Sequence, residues 1–429
     1  MDEPRYIDRA AESLDDFEDV FDPILAVRPG SEFYVPRSDY KLQRLASKLR
    51  TNRSTSFHAF LCGHRGSGKT TELQRLCLEP ELVERYTTLF VTAQSFGTET
   101  TALTHDALMV EIGLALVKEG KPLGLDPKLA KALDNWGREV VKTFTHDEGF
   151  GTEAGLGGDA WLAFFKAHLR SRRDWKLEQT QRLEPKVQDL IGILNRMAAD
   201  LRERTGKQLL VIVDDLEKGE SDAHQAMHHL IFQKNYETLV QPRMAIVYTV
   251  PIYFRSLPGS RIPNDQLYPF SALRLYRRED KEEVRPPLAT DRPGYHVMRD
   301  FVERRIVEPE RFFAAGVFDE LLLIGGGLFR DTARAFEEAA FVARSRGAER
   351  IEAQDAEAIF HQVKKDYQPM IRGEAVEVLK AVLGAPQGWV DDVEPYLQSR
   401  AVVEYENNDL WLDLRYPLKA YVAELSGDG

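Results

Sequence analysis

Residues Gly63-His64-Arg65-Gly66-Ser67-Gly68-Lys69-Thr70 match the spacing G-x-x-x-x-G-K-T, and this stretch limits what the chain can fold into more than any other. The apolar run His58–Cys62 before it reads as a buried strand. Thr70–Cys77 after it reads as a helix with Leu73 and Leu76 on one face. Glycines let the backbone wrap until its N–H groups and the helix N-terminus converge, an arrangement that holds a phosphate chain. There Lys69 reaches the β- and γ-phosphates, the Thr70 hydroxyl ligates Mg2+, and Thr71 follows on the same turn. The stretch therefore predicts a nucleotide-binding domain, with Thr70 placed to ligate Mg2+.

A chain of 429 residues exceeds one ordinary core. An apolar content of 43% with 29% charged residues is that of globular protein, and apolar runs such as Phe318–Phe329 are too short to span a bilayer. The acidic start, Met1–Asp22, lacks the layout of a signal peptide, and Cys62 and Cys77 read as reduced, buried thiols of a cytoplasmic protein. A net charge of −12 excludes a surface coated for non-specific nucleic-acid binding but not a local basic patch.

Residues 1–32 read as an acidic extension and 33–285 as the phosphate-binding domain. Ser38 is placed to cap a helix over Asp39–Leu49, and Tyr34, Val35 and Pro36 form either a seat for adenine or plain core packing. Thr87–Thr92 reads as a second strand, and the next, Gln208–Val213, follows more than a hundred residues later. A gap of that size cannot be one loop, so residues 100–207 are expected to form a helical insertion. Thr104–Lys118, Pro127–Thr143, Trp161–Arg173 and Lys186–Arg204 carry helical spacing, with a glycine-rich connector over Glu148–Asp159. Within the insertion Arg170, Arg172, Arg173, Lys176 and Arg182 lie among Trp161, Phe164, Phe165 and Trp175. That mixture suits nucleic acid, a protein partner or a solvated helix face.

A second motif is the apolar run Leu209–Val213 ending in Asp214-Asp215-Leu216-Glu217. Carboxylates after such a run mark the C-terminal edge of a buried parallel strand, where α/β proteins hold ligands. Asp214 is expected to hold Mg2+ through water, while Asp215 and Glu217 both stand as the base for the attacking water. Gly219–Tyr236 reads as one helix; its His224/His228 pair has metal-ligand spacing without a third ligand, so a solvated face is expected. Met244–Val250 is the next strand, with Thr249 placed to contact the γ-phosphate or the attacking water. Arg255 and Arg261 beyond it are surface arginines or, in a ring of subunits, trans-acting fingers. Tyr268–Leu275 reads as a last strand before the charged linker Arg277–Asp291.

Residues 294–367 are wholly helical in pattern, a lid in which Gly325-Gly326-Gly327 end one helix before Arg330 opens the next. An arginine there swings onto a γ-phosphate or forms a salt bridge. Residues 368–429 give helices over Glu374–Leu383 and Val390–Ser399, a hairpin over Val402–Leu414 turning at Asn407-Asn408, and a helix over Leu418–Leu425. This is a winged-helix pattern. With five basic and eleven acidic residues from Pro369 onward it repels phosphate, which favours docking over DNA contact.

In this order the motifs resemble the AAA+ and STAND ATPases over roughly Phe33–Leu425, particularly the branch similar to archaeal and eukaryotic replication-origin initiators. They also look like single-chain bacterial ATPases of mobile elements and anti-phage defence loci. The resemblance implies a three-layer α/β/α P-loop NTPase with Lys69 and Thr70 as Walker A residues and Asp214 and Asp215 as the Walker B pair. Thr249 and Arg330 match its first and second sensors. Asp-Asp in place of the usual Asp-Glu, and the large insertion, count against a processive ring motor. The implied protein is a slow Mg2+-dependent ATPase and switch, coupling nucleotide state to self-association or an effector protein. The rival reading is a DNA-binding ATPase that loads or remodels proteins on DNA.

Overall fold

The computed structural model describes residues 6–92, 103–147, 177–384 and 389–425, apart from residues 26, 38, 220 and 408. The connector Glu148–Asp159, the helix expected over Trp161–Arg173 and the basic-aromatic set from Trp161 to Lys176 lie outside these residues, as do the Arg182 side chain, Ser38 and Asn408.

Five parallel strands form the centre: β1 (Phe57–Gly63), β2 (Tyr86–Thr92), β3 (Gln208–Asp214), β4 (Ala245–Val250) and β5 (Leu267–Phe270), in the order β2-β3-β4-β1-β5. Strands buried on both faces need apolar residues at every position, and the two parities of β1, β3 and β4 supply two cores. Ala59, Leu61, Leu210, Ile212, Ala245 and Val247 pack under Leu42, Leu45 and Leu49 of helix Tyr40–Thr51 and Leu73 and Leu76 of helix Lys69–Cys77. Phe60, Cys62, Val211, Val213, Ile246 and Tyr248 face the insertion helices and part of the C-terminal module. The result is the three-layer α/β/α sheet. Asp39 caps helix Tyr40–Thr51, its carboxylate accepting from the Lys41 and Leu42 amides.

The insertion contributes helices His105–Gly120, Pro127–Asp147 and Leu177–Thr205 between β2 and β3. β5 ends earlier than its sequence suggests, because Ala272 leaves the sheet and pairs instead with Tyr405 of the C-terminal hairpin. The expected single helix over Gly219–Tyr236 is Asp222–His228, a π-turn over His229–Lys234 and a short helix Tyr236–Leu239.

Helices Pro293–Glu303, Val317–Gly325, Phe329–Ser345 and Ala353–Tyr367 make the lid. Residues 6–22 are not a free extension. Phe17 and Phe21 are buried against Phe312, Phe313 and Phe336, joining the N-terminal segment to the lid core. The C-terminal module comprises helices Glu374–Gly384 and Glu394–Ser399, the antiparallel hairpin β6 (Val402–Glu406) and β7 (Leu410–Leu414), and helix Tyr416–Glu424. No helix among the described residues is long and apolar enough to cross a membrane.

Candidate functional site

The loop Gly63–Gly68 leaves β1 at the C-terminal edge of the sheet, and Gly68 opens helix Lys69–Cys77. Gly66 and Gly68 have φ of 81° and 94°, a region costly to any residue with a Cβ. Space is equally restrictive: a Cβ on Gly63 would stand 2.7 Å from the Phe270 carbonyl, and one on Gly66 2.7 Å from Arg330 Cβ. The lid helix therefore begins directly on the loop, with the Arg330 amide donating to Gly66 O at 3.3 Å.

β4 lies between β1 and β3, so Thr249 stands between the phosphate loop and the carboxylates that end β3. Lys69 is buried. Its Nζ donates to Gly63 O (3.1 Å) and His64 O (2.8 Å) and pairs with Glu217 Oε1 at 2.8 Å. Burial pushes the Glu217 carboxyl up, but the Lys69 ammonium outweighs it and holds the group below the usual carboxylate value. Thr249 Oγ1 accepts from the Leu216 amide at 3.3 Å and its hydroxyl bonds Glu217. Glu217, not Asp215, thus faces Lys69 and Thr249. Asp215 sits at φ 69°, with its carboxylate held by Lys218 at 2.7 Å.

Asp214 is fully buried, accepts from the Asp215 amide at 2.8 Å and bonds the exposed Thr70 hydroxyl. Burial, with Glu217 and Asp215 nearby, pushes its carboxyl up to about 6. This donor set fits Mg-ATP. Thr70 and Asp214 meet where a divalent cation would compensate three crowded carboxylates, and the second oxygen of Glu217 is buried without a partner.

The remaining predicted residues divide. Ser67 is buried and its carbonyl accepts from Arg37, which also donates to Ser271 O. Thr71 and Arg65 are half-buried. His64 turns away from the site: its Nε2 accepts the Glu404 amide of β6 at 2.8 Å, and burial, aided by Lys69 and Arg400, pushes it down to about 3. Burial also lowers the Arg330 guanidinium, Arg65 adding to the effect and Glu217 opposing it. Tyr34 donates to Glu72 at 2.8 Å, its carbonyl accepts from Arg304, and Val35 joins the lid core, so this segment bridges loop helix and lid.

Arg255 is not a free surface arginine: it pairs within the chain with Glu404 (2.9 Å) and Glu406 (3.0 Å), whereas Arg261 is exposed. His228 is not on a solvated face: it is buried against Tyr253 at 3.0 Å and pushed down to about 3 by burial. Reading the sequence also missed the C-terminal contributors. Asp331 accepts from Arg400 (3.1 Å) and Arg415 (3.3 Å), and Glu394 accepts from Gln225 and meets His229, each at 2.9 Å. The only local signal was that Asp331 adjoins Arg330.

No family model matches the sequence, and no curated protein matches it. Similar solved structures include the Orc1 protein of Aeropyrum pernix in complex with DNA, at 11% identity and TM-score 0.38, covering 91% of this chain and 93% of that one. Cdc6p of Pyrobaculum aerophilum gives 14%, 0.35, 95% and 97%, and Drosophila ORC bound to DNA gives 10%, 0.36, 96% and 92%. The likeness to Orc1, Cdc6p and ORC is one of fold.

Proposed function

We propose that the chain is a Mg2+-dependent ATPase whose nucleotide state sets how the lid and the winged helix dock. The observation that carries this is the buried Lys69–Glu217 pair at 2.8 Å, bracketed by Thr249, Asp214 and the first turn of the lid helix. An ammonium held this deep needs an anion. In this reading a phosphate chain takes over Lys69 and the loop amides, and Glu217 is released to orient and deprotonate water with Thr249 steadying it. Thr70 and Asp214 hold Mg2+, which when bound draws charge from the β- and γ-phosphate oxygens. Arg330 contacts the γ-phosphate from the lid, so ATP and ADP are bound with different lid positions. A switch works through such differential contacts rather than through total affinity.

The docking surface then belongs to a protein partner or a second copy in the ATP state. DNA, the ligand of two of the structures above, is the partner for the rival reading, with a loader on DNA in place of a protein switch. A defence role finds no counterpart in the geometry. The test is nucleotide binding and turnover in wild type and Lys69→Ala, with solution mass on ADP or a non-hydrolysable ATP analogue, each with and without duplex DNA. Loss of binding in Lys69→Ala is expected, with assembly on the ATP analogue alone. Assembly only with DNA favours the loader, and unchanged turnover in Lys69→Ala refutes the ATPase assignment.

A further inference from the structure

Arg330 and Asp331 are neighbours in the first turn of helix Phe329–Ser345, so their side chains leave it about 100° apart. Arg330 is set against the phosphate loop, its amide on Gly66 and its guanidinium in the field of Arg65 and Glu217. Asp331 points to the C-terminal module. Its Oδ2 accepts from Arg400 Nε and Arg415 Nη1, and it is 5% exposed. Burial pushes this carboxyl up, but Arg415 and Arg400 outweigh it and keep the acid below its usual value, hence ionised.

The two arginines are themselves fixed. Arg415 also donates to Ile324 O (3.0 Å), a carbonyl at the end of helix Val317–Gly325, and to the Tyr367 hydroxyl (3.1 Å). Arg400 holds φ 66°, a left-handed conformation that is unfavourable for a non-glycine residue and that the surroundings impose. Beside them the Tyr405 hydroxyl donates to Gly326 O at 2.9 Å, and a Cβ on Gly327 would stand 1.9 Å from Leu273 O. The turn that launches the lid helix is therefore locked, and a rotation that moves Arg330 has to move Asp331 against Arg400 and Arg415.

We propose that Asp331 is a positioning residue that couples Arg330 to the docking of the winged helix, so that anything displacing the winged helix resets nucleotide discrimination at the phosphate loop. This rests on the ATPase reading above. Coupling of this kind is reciprocal: ATP and ADP hold the winged helix with different strengths, and a partner on the winged helix changes the ratio of their affinities by the same factor.

The test is hydrogen exchange of the β6 amides, Val402–Glu406, with nucleotide affinity measured separately on the same full-length protein. In wild type, protection is expected to differ about tenfold between ADP and a non-hydrolysable ATP analogue, and in Asp331→Asn that difference collapses while nucleotide still binds. Arg400→Gln removes a partner from the other side and is expected to do the same, which covers an Asp331→Asn chain that fails to fold. A purely structural carboxylate would lower the melting temperature and leave the nucleotide dependence intact. Retention of that dependence in either variant overturns the proposal, as does a wild type that binds both nucleotides with equal β6 protection. A wild type that binds neither nucleotide overturns the ATPase reading first, and the coupling with it.

Discussion

Two carboxylates compete for one role, and their surroundings differ. Glu217 is buried against Lys69 and Thr249, whereas Asp215 is turned into a left-handed conformation and tied to Lys218. A general base contributes about 10²–10⁴ to a rate, so Glu217→Gln is expected to slow single-turnover hydrolysis by at least about 100-fold with nucleotide affinity kept. Asp215→Asn removes a charge that faces Lys218 and is expected to cost less than about tenfold. The reverse ranking would return the role to Asp215. Lys69 and Thr70 were legible because a phosphate loop needs those residue types at fixed spacing along one strand–loop–helix unit, and Asp214 because it ends the apolar run of β3. That Glu217 rather than Asp215 faces Lys69 was not legible. It depends on a backbone turned to φ 69° at Asp215, which redirects the two side chains and which an Asp-Asp pair does not announce.

At the level of elements, the N-terminal segment and the lid helix carry an electrostatic conflict at their contact. Glu337 lies on helix Phe329–Ser345, where burial, then Asp22, Glu338 and Glu18, raise its carboxyl from 4.5 to about 7, with Arg334 opposing. The folded state therefore holds this proton longer than the unfolded chain does. Its stability contribution is complete below about pH 4.5 and is lost as the pH rises to about 7. Denaturation midpoints of wild type are expected to fall across that interval on account of this group, and Glu337→Gln to flatten the slope. An identical slope in the variant would place the titration elsewhere. The three described insertion helices, His105–Gly120, Pro127–Asp147 and Leu177–Thr205, were legible because each is long enough to show recurring apolar residues. Residues 14–21 were not: their helix, Phe17–Phe21, spans five residues, and the partners of its two phenylalanines are Phe312, Phe313 and Phe336, far along the chain. Periodicity reports what an element offers to a core, and a single turn is too short to show it.

For the whole molecule, the helices and hairpin of the C-terminal module were legible, but their place was not. β6 pairs its Glu404 amide with His64 of the phosphate loop, its carbonyl with the Ala272 amide and its carboxylate with Arg255. Local patterns could not foresee contacts between residues so distant in sequence, and an arginine beyond a nucleotide strand suits a subunit interface equally well. The two roles of Arg255 predict opposite behaviour. As an intramolecular clamp it compensates Glu404, whose carboxyl burial still raises to about 7 with the guanidinium beside it. Breaking a buried pair from one side costs about 3–5 kcal/mol, and here protonation of Glu404 pulls the loss toward the lower figure. Arg255→Ala is thus expected to lower the denaturation midpoint and speed hydrogen exchange in β6, with nucleotide affinity retained and turnover per chain independent of protein concentration. A trans-acting finger would leave stability unchanged, cost about 10³ or more in turnover, and be complemented by mixing with Lys69→Ala chains that still carry the arginine. Complementation in that mixture would mean that Arg255 leaves Glu404 to reach a neighbour, and that the docked winged helix is the resting form of an assembly.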